Sequence, residues 1–374
     1  MKEIRDILKA YNKAKKQNTK AVLATVVKVE GSSYRQPGAR MLVTEEGELT
    51  GAISGGCLEG DALKKALLAI HQRQNKLIIY DTSNEDDVEF GVQLGCNGIV
   101  HILFEYIDET VENNPIALLE EIEAKRKEAV VMTLFSLNIK ANQLGTVLFY
   151  RDNLDYKITV DNVIVFLEDA EAVLVNKASI IKISVVNGIH YEALIEYIPT
   201  PLSLIIAGAG NDVKPLVAMA SLLGWDITVV DGRATHATAK RFPDVEKILV
   251  AKPEEVIHEV ILDKRTFIVL ITHNYNYDLA LLKLLLESDC VYIGILGPKT
   301  KLNRMINDLQ QEGITLTQQQ LSRIYGPVGL DIGAETSEEI AVSITSEIIA
   351  VMSGKNGTSL KFKEQKIHVT IPIV

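Results

Sequence analysis

The chain reads as α/β: an N-terminal mixed α/β domain followed by a C-terminal Rossmann-like, doubly wound parallel sheet. Three observations predict this. Leu204–Val213 runs from a buried apolar strand through Gly208-Ala209-Gly210 into a helical pattern, and strand and helix patterns alternate from there on. The first hundred residues instead carry β-branched runs broken by glycine-containing turns. Between these regions Pro199-Thr200-Pro201 cannot continue a strand ladder, so the expected domains are 1–198 and 199–374.

Taken in order, Ile4 to about Lys16 is an amphipathic helix and Lys20–Glu30 a strand ended by the polar turn Gly31-Ser32-Ser33. Ala39–Thr44 and Glu48–Ile53 form a hairpin around Glu45-Glu46-Gly47. Leu58, Ala62, Ala66 and Ile70 then repeat at helical spacing, and Leu77–Asp81 and Ile99–Glu105 are two further strands. Between those two strands lie the acidic stretch Ser83–Glu89 and a second glycine loop, Gly91–Gly98. The cysteine-bearing loops thus fall within 1–108. The region 109–198, with a helix over Ile116–Lys127 and four strand candidates, has no glycine loop and is expected to be scaffold. In the second domain, strands at Ile227–Asp231, Lys247–Val250, Phe267–Thr272 and Val291–Leu296 alternate with helices, the last helix running from Ser337 to about Met352. Lys366–Val374 is expected to be an added edge strand, and Ile367–Val374 an apolar edge able to pair between subunits of a homo-oligomer.

Composition narrows the function classes. With 374 residues, 47% hydrophobic and 24% charged, the chain has ordinary globular composition. A formal net charge of −10 supplies no basic footprint for nucleic acid. Three cysteines (Cys57, Cys96, Cys290) make neither a disulfide framework nor a zinc spacing. No apolar signal core and no membrane-spanning run is present, so a reduced cytoplasmic setting is expected, with no membrane partner.

The most informative stretch is Gly51-Ala52-Ile53-Ser54-Gly55-Gly56-Cys57-Leu58-Glu59-Gly60. Its glycines allow a tight turn and the close approach of a ligand. The periodicity behind it puts Cys57 at or beside a helix start, where unpaired amides favour an anion. Two readings stay open: a thiol presented to a ligand, or a buried cysteine acting as a small hydrophobe.

In the second domain, Gly208 and Gly210 precede a helix and Asp231 ends the next strand, the position of a ribose-binding acid. Val213 stands where the dinucleotide fingerprint has its third glycine. Arg233 is either a phosphate contact or a surface residue. His273 ends another strand as acid, base, ligand or helix cap, and Gly297 ends a further one. Because ligands bind at the carboxyl ends of such strands, Gly208, Asp231, His273 and Gly297 should converge on one crevice. Glu335 either projects into it or precedes a cap at Thr336 or Ser337.

Together these segments resemble the XdhC/CoxI family, accessory proteins that mature molybdenum hydroxylases such as xanthine dehydrogenase. The resemblance rests on Gly31-Ser32-Ser33-Tyr34-Arg35, Pro37-Gly38-Ala39-Arg40-Met41, the Cys57 stretch and Leu94-Gly95-Cys96-Asn97-Gly98. In the second domain it rests on Ala207–Asn211, Val230–Arg233, Thr272-His273 with Asp278, Tyr292–Gly297 and Pro327–Glu335. It implies binding of molybdenum cofactor, a pterin dithiolene sometimes carried as its dinucleotide. It also implies protection of that cofactor, sulfuration with a cysteine desulfurase, and delivery to an apo molybdenum hydroxylase. Carried onto this chain, Cys57 becomes the candidate contact to molybdenum or its sulfur, with Gly55 and Gly56 shaping its loop and Cys96 second. Arg35 and Arg40 become candidates for the cofactor phosphate, and the Rossmann crevice for a nucleotide. Asn97, Asn211 and Gly232 depart from the family pattern. The competing readings are an NAD(P)-dependent oxidoreductase built on Asp231, and a thiol redox sensor pairing Cys57 with Cys96.

Overall fold

A computed structural model describes residues 1–81, 98–186, 188–364 and 371–374. The chain divides into two compact units, Met1–Thr200 joined by the chain's end, and Pro201–Ile367.

The first unit is built from the same plan twice. Helix α1 (Lys2–Lys16) leads into β1 (Ala21–Gly31), β2 (Arg40–Thr44) and β3 (Leu49–Gly51), then α2 (Glu59–Gln72), β4 (Lys76–Asp81) and β5 (Gly98–Tyr106). Helix α3 (Pro115–Ala124) leads into β6 (Ala129–Phe135), β7 (Gly145–Asp152) and β8 (Asp155–Ile158), then α4 (Leu167–Asn176), β9 (Ile180–Val186) and β10 (Ile189–Ile198). The two antiparallel sheets have strand orders β3-β2-β1-β5-β4 and β8-β7-β6-β10-β9, which is one order repeated. Even the helix ends correspond: α2 stops at Arg73 (φ 51°) and α4 at Lys177 (φ 53°), both left-handed caps. The region expected to be scaffold is therefore a second copy of the first half's architecture, including β8 and α4, which local patterning does not reveal.

Alternation along each strand sorts its side chains to two faces. Leu23 and Leu42 meet Val131 and Phe149 between the sheets, beside Ile7 of α1 and Leu119 of α3. Val27 and Leu103 likewise meet Phe135 and Leu194. On the outer faces, Val26, Met41 and Phe104 pack under Ala62, Ala66 and Ile70 of α2, while Met132 and Ile195 pack with Ala170 and Val173 of α4.

Three charged residues also cross this dry interface. Arg40, 1% exposed, donates to Glu196 Oε2 at 2.6 Å and Oε1 at 3.2 Å. Lys28 donates to Glu192 Oε1 at 2.8 Å. Glu105 accepts from both the amide and the hydroxyl of Thr146. Burial pushes the Glu105 carboxyl up to about 7, against the pull of the Thr146 hydrogen bonds and the Arg40 charge.

The second unit is a six-stranded parallel sheet. Its strands are β11 (Ser203–Ala207), β12 (Asp226–Asp231), β13 (Lys247–Val250), β14 (Thr266–Leu270), β15 (Tyr292–Ile295) and β16 (Ile324–Tyr325). Their order, β13-β12-β11-β14-β15-β16, reverses direction between β11 and β14 and so creates a switch-point crevice at the strands' carboxyl ends. Helices α5 (Val213–Leu222), α6 (Pro253–Glu259), α7 (Tyr275–Leu285), α8 (Lys299–Gln311), α9 (Gln318–Ser322) and α10 (Ser337–Met352) complete it. Apolar cores lie on both sheet faces, one with α5 and α10, the other with α7 and α8.

The last residues do add to a strand edge, in the first unit. They do not extend the Rossmann sheet; they pair in parallel with β9 of the first unit, Ile181 N donating to Pro372 O at 2.9 Å and Val374 N to Ile181 O at 2.8 Å. Ile181 and Ile371 share one apolar cluster, which is what holds the segment there. Among the described residues, no helix is long and apolar enough to cross a membrane.

Candidate functional site

The register of the first sheet brings the sequence's marked loops to one end. Gly31 at the end of β1 is paired with Gly98 at the start of β5, Asp81 at the end of β4 with Ile99, and Met41 with Gly51 at the end of β3. Loops 32–39 and 52–58 therefore leave the sheet on the same side, where β4 ends and β5 begins. A Cβ on Gly98 would lie 2.3 Å from Ser32 O, so only glycine allows this close approach. The Tyr34 ring lies 3.5 Å from where a Gly55 Cβ would stand, so loop 32–39 rests on the cysteine loop. Cys96 and Asn97 lie outside the described residues.

Cys57 is half-buried, two residues ahead of the first residue of α2. Its surroundings differ from a bare helix start. Ser54 Oγ accepts from the amides of Gly56, Cys57 and Leu58, each at 3.1 Å, and Glu59 accepts from both the amide and the hydroxyl of Ser54. The amides expected to favour an anion thus converge on a hydroxyl tied to a carboxylate, with Cys57 Sγ 3.6 Å from Ser54 Oγ. Gly56, at φ 105°, has nothing within 4 Å of a Cβ position, which leaves open space beside the cysteine. Cys290 differs: it is buried, and burial pushes its thiol up to about 11.

The two arginines expected to meet a phosphate have carboxylate partners within the unit. Arg35 is ion-paired with Glu3. Arg40 is buried between the sheets on Glu196 and on Gly38 O, so it fastens β2 to β10 and presents nothing to a ligand. Sequence periodicity places Arg40 at a strand start but holds no signal of a partner 156 residues on.

In the second unit, Gly208 (φ 135°) is required because a Cβ would meet Ile271 O at 2.2 Å. Its amide donates to Val230 O at 2.7 Å. Asp231 is 3% exposed and saturated: Oδ2 accepts from Ala209 N and Arg233 Nη2, Oδ1 from Arg233 N and Nε, all within 2.9 Å. Burial alone would raise its carboxyl, but these hydrogen bonds outweigh that and hold it below the usual range. The expected ribose acceptor is therefore engaged internally, and so is an amide of the glycine turn. Asp212 ahead of α5 pairs with His273 Nε2 at 2.7 Å, and His273 holds a left-handed backbone (φ 56°).

A crevice of about 670 Å³ opens here, lined by Asp231, Arg233, Thr272, His273, Asn274 and Tyr277 among others. Gly208, Gly210, Gly297 and Glu335 are not among its lining residues. A Cβ on Gly210 would strike Asp212 Oδ1, and Gly297 (φ 128°) sits over the Lys301 side chain. Lys301 and Thr272 clasp the fully buried Asp278, at 2.8 and 2.6 Å, a group beside the crevice that sequence reading did not single out as a site. Glu335 is exposed, and the capping role belongs to Thr336, whose hydroxyl accepts from Glu339 N.

Comparison with known proteins agrees with both units. Residues 14–81 match the model of the XdhC and CoxI family, and residues 204–348 that of the XdhC Rossmann domain. A Bacillus subtilis protein, named as a probable subunit of xanthine dehydrogenase, is 31% identical over 88% of this chain and 92% of its own. The Escherichia coli molybdenum cofactor insertion chaperone PaoD is 22% identical over 93% of this chain and 88% of its own. A crystal structure named a xanthine dehydrogenase, from Bacillus halodurans, superposes with a TM-score of 0.74 at 30% identity, covering 94% of this chain and 97% of that one.

Proposed function

The chain belongs to the XdhC and CoxI family, and from that premise we propose that it is a molybdenum-cofactor accessory protein serving a xanthine dehydrogenase-type molybdenum hydroxylase. Names carried by relatives, among them a molybdenum cofactor insertion chaperone, support this role. In this reading the cofactor is cargo: it is held, shielded while a cysteine desulfurase supplies its terminal sulfur, and handed to the apo-enzyme.

The observation that carries the reading is the half-buried Cys57 in a glycine loop, with open space at Gly56 and the Tyr34 loop resting on Gly55. A thiolate is a soft donor and suits a molybdenum–sulfur centre. The Ser54–Glu59 hydrogen bonds fix the loop that carries Cys57, whose side chain also packs against the core under α2. Cys96, two residues before Gly98 in the sequence, is the second proposed contact. In the Rossmann crevice, Arg233, His273 and Tyr277 are the groups proposed to meet a nucleotide portion, by side chains rather than by the glycine turn.

The oxidoreductase alternative gains no support from Asp231, whose carboxylate is engaged by Ala209 N and by Arg233. Co-expression with a molybdenum-loading system, anaerobic purification, and metal and pterin analysis test the proposal. Wild-type chain should retain molybdopterin and Cys57→Ala should lose most of it. Equal retention by the variant would remove Cys57 from the mechanism.

A further inference from the structure

A second cavity, of about 360 Å³, lies within the first unit beside the marked loops. One group of its walls comes from β1 and the loop after it, with Lys28, Val29, Gln36 and Pro37; another comes from β9 and the chain's end, with Ile181 and Ile371. Its volume falls in the range of small-molecule sites, and its lining mixes apolar side chains with polar groups. Lys28 is 8% exposed and makes one hydrogen bond, to Glu192, so further N–H donors of its ammonium remain unclaimed. The Gln36 amide makes a single long bond, Nε2 to Ser33 O at 3.4 Å. Behind Lys28 the charged group continues through Glu30 to His101.

We propose that this cavity is the subsite for a planar fused-ring lactam, the pterin end of the cofactor. The inference rests on the accessory-protein reading above and adds a location to it. A volume of about 360 Å³ holds a two-ring heterocycle. The Lys28 ammonium donates to a ring carbonyl, and the Gln36 amide, one donor beside one acceptor, matches the N–H and C=O of a lactam edge. Loop 32–39 connects the cavity to the cysteine: Gln36 lines it, while Tyr34, two residues back, lies against Gly55. Two residues span about 7 Å at most, so the cavity wall at Gln36 lies near the residue that rests on the Cys57 loop.

The test is titration of the full-length protein with free pterin (2-amino-4-oxopteridine), followed by its intrinsic fluorescence. Saturable one-to-one binding is expected. Gln36→Ala should weaken it by about tenfold, the worth of one polar pair, and Ile371→Trp should abolish it by filling the cavity. Thermal melting checks that both variants fold. Should either fail to fold, hydrogen exchange on the wild type decides: pterin should slow the amides of Ile181 and Val374, which pair across the cavity wall. No saturation up to about 1 mM pterin, wild-type affinity in both variants, or unchanged exchange would each overturn the location. A chain that retains cofactor in cells but fails to bind pterin overturns this subsite and leaves the accessory role standing. One that binds pterin but never retains cofactor supports the subsite and overturns the role.

Discussion

The two halves of the first unit share seven elements in one order, yet differ sharply at one end of their sheets. In the first half, β4 and β5 are separated by residues 82–97. In the second, β9 and β10 are separated by Asn187 and Gly188 alone, the common two-residue hairpin signal. The loop before α2 carries Ser54, Gly55, Gly56 and Cys57; its counterpart before α4 is the 3-10 turn Asp161–Phe166 with no cysteine. One architecture therefore appears once with a cysteine-bearing glycine loop and once without. The second copy supplies instead the charged partners, Glu192 and Glu196, that fasten the first. Fold and proposed function are separable in this unit, because the loops proposed to carry the chemistry are gathered by the sheet register but not needed by it.

The strongest challenge to that comparison makes the halves alike. Replacing residues 82–97 by a single Asn places an Asn-Gly98 turn between β4 and β5, imitating the second half. Thermal unfolding should change by no more than about 1 kcal/mol, since loop closure depends only weakly on length, while molybdopterin retention should vanish. Loss of folding would mean that the two halves are not interchangeable scaffolds.

Arg40→Met tests the fastening. Removing one partner of a buried pair leaves Glu196 uncompensated, so urea unfolding should report a loss of about 3–5 kcal/mol. A loss under about 1 kcal/mol would show that the sheets adhere through their apolar faces alone.

Glu105→Gln tests the same interface by pH. The folded carboxyl is raised from 4.5 to about 7, so the folded state binds its proton more tightly than the unfolded state. The stability this contributes is present below about pH 4.5 and is lost as pH rises to about 7, on the order of 3 kcal/mol. The variant should show a flatter dependence of urea midpoint on pH over that window. An unchanged slope would assign the titration to another group.

Much of this arrangement is legible locally, and the remainder is not for identifiable reasons. The strand, glycine turn and helix over Leu204–Val213, and the helix behind Cys57, follow from periodicity within a dozen residues. The duplication leaves no such trace, since the halves agree in strand order rather than in residues. Arg40 looks like a surface arginine because its partner Glu196 lies on β10, brought close only when the sheets stack. Asp231 sits where a ribose acid belongs, but Arg233 two residues later closes on it, a side-chain geometry that no spacing rule encodes. The last residues have the alternating apolar pattern of a strand, which says nothing about which sheet edge accepts them.

That last pairing has a consequence for how the protein is made. Residues 371–374 emerge from the ribosome after the whole Rossmann unit, yet they complete an edge begun by β9 almost two hundred residues earlier. Until then the slot beside Lys28 lacks the wall that Ile371 supplies. A nascent or truncated chain displays its cysteine loop before the wall at Ile371 is in place.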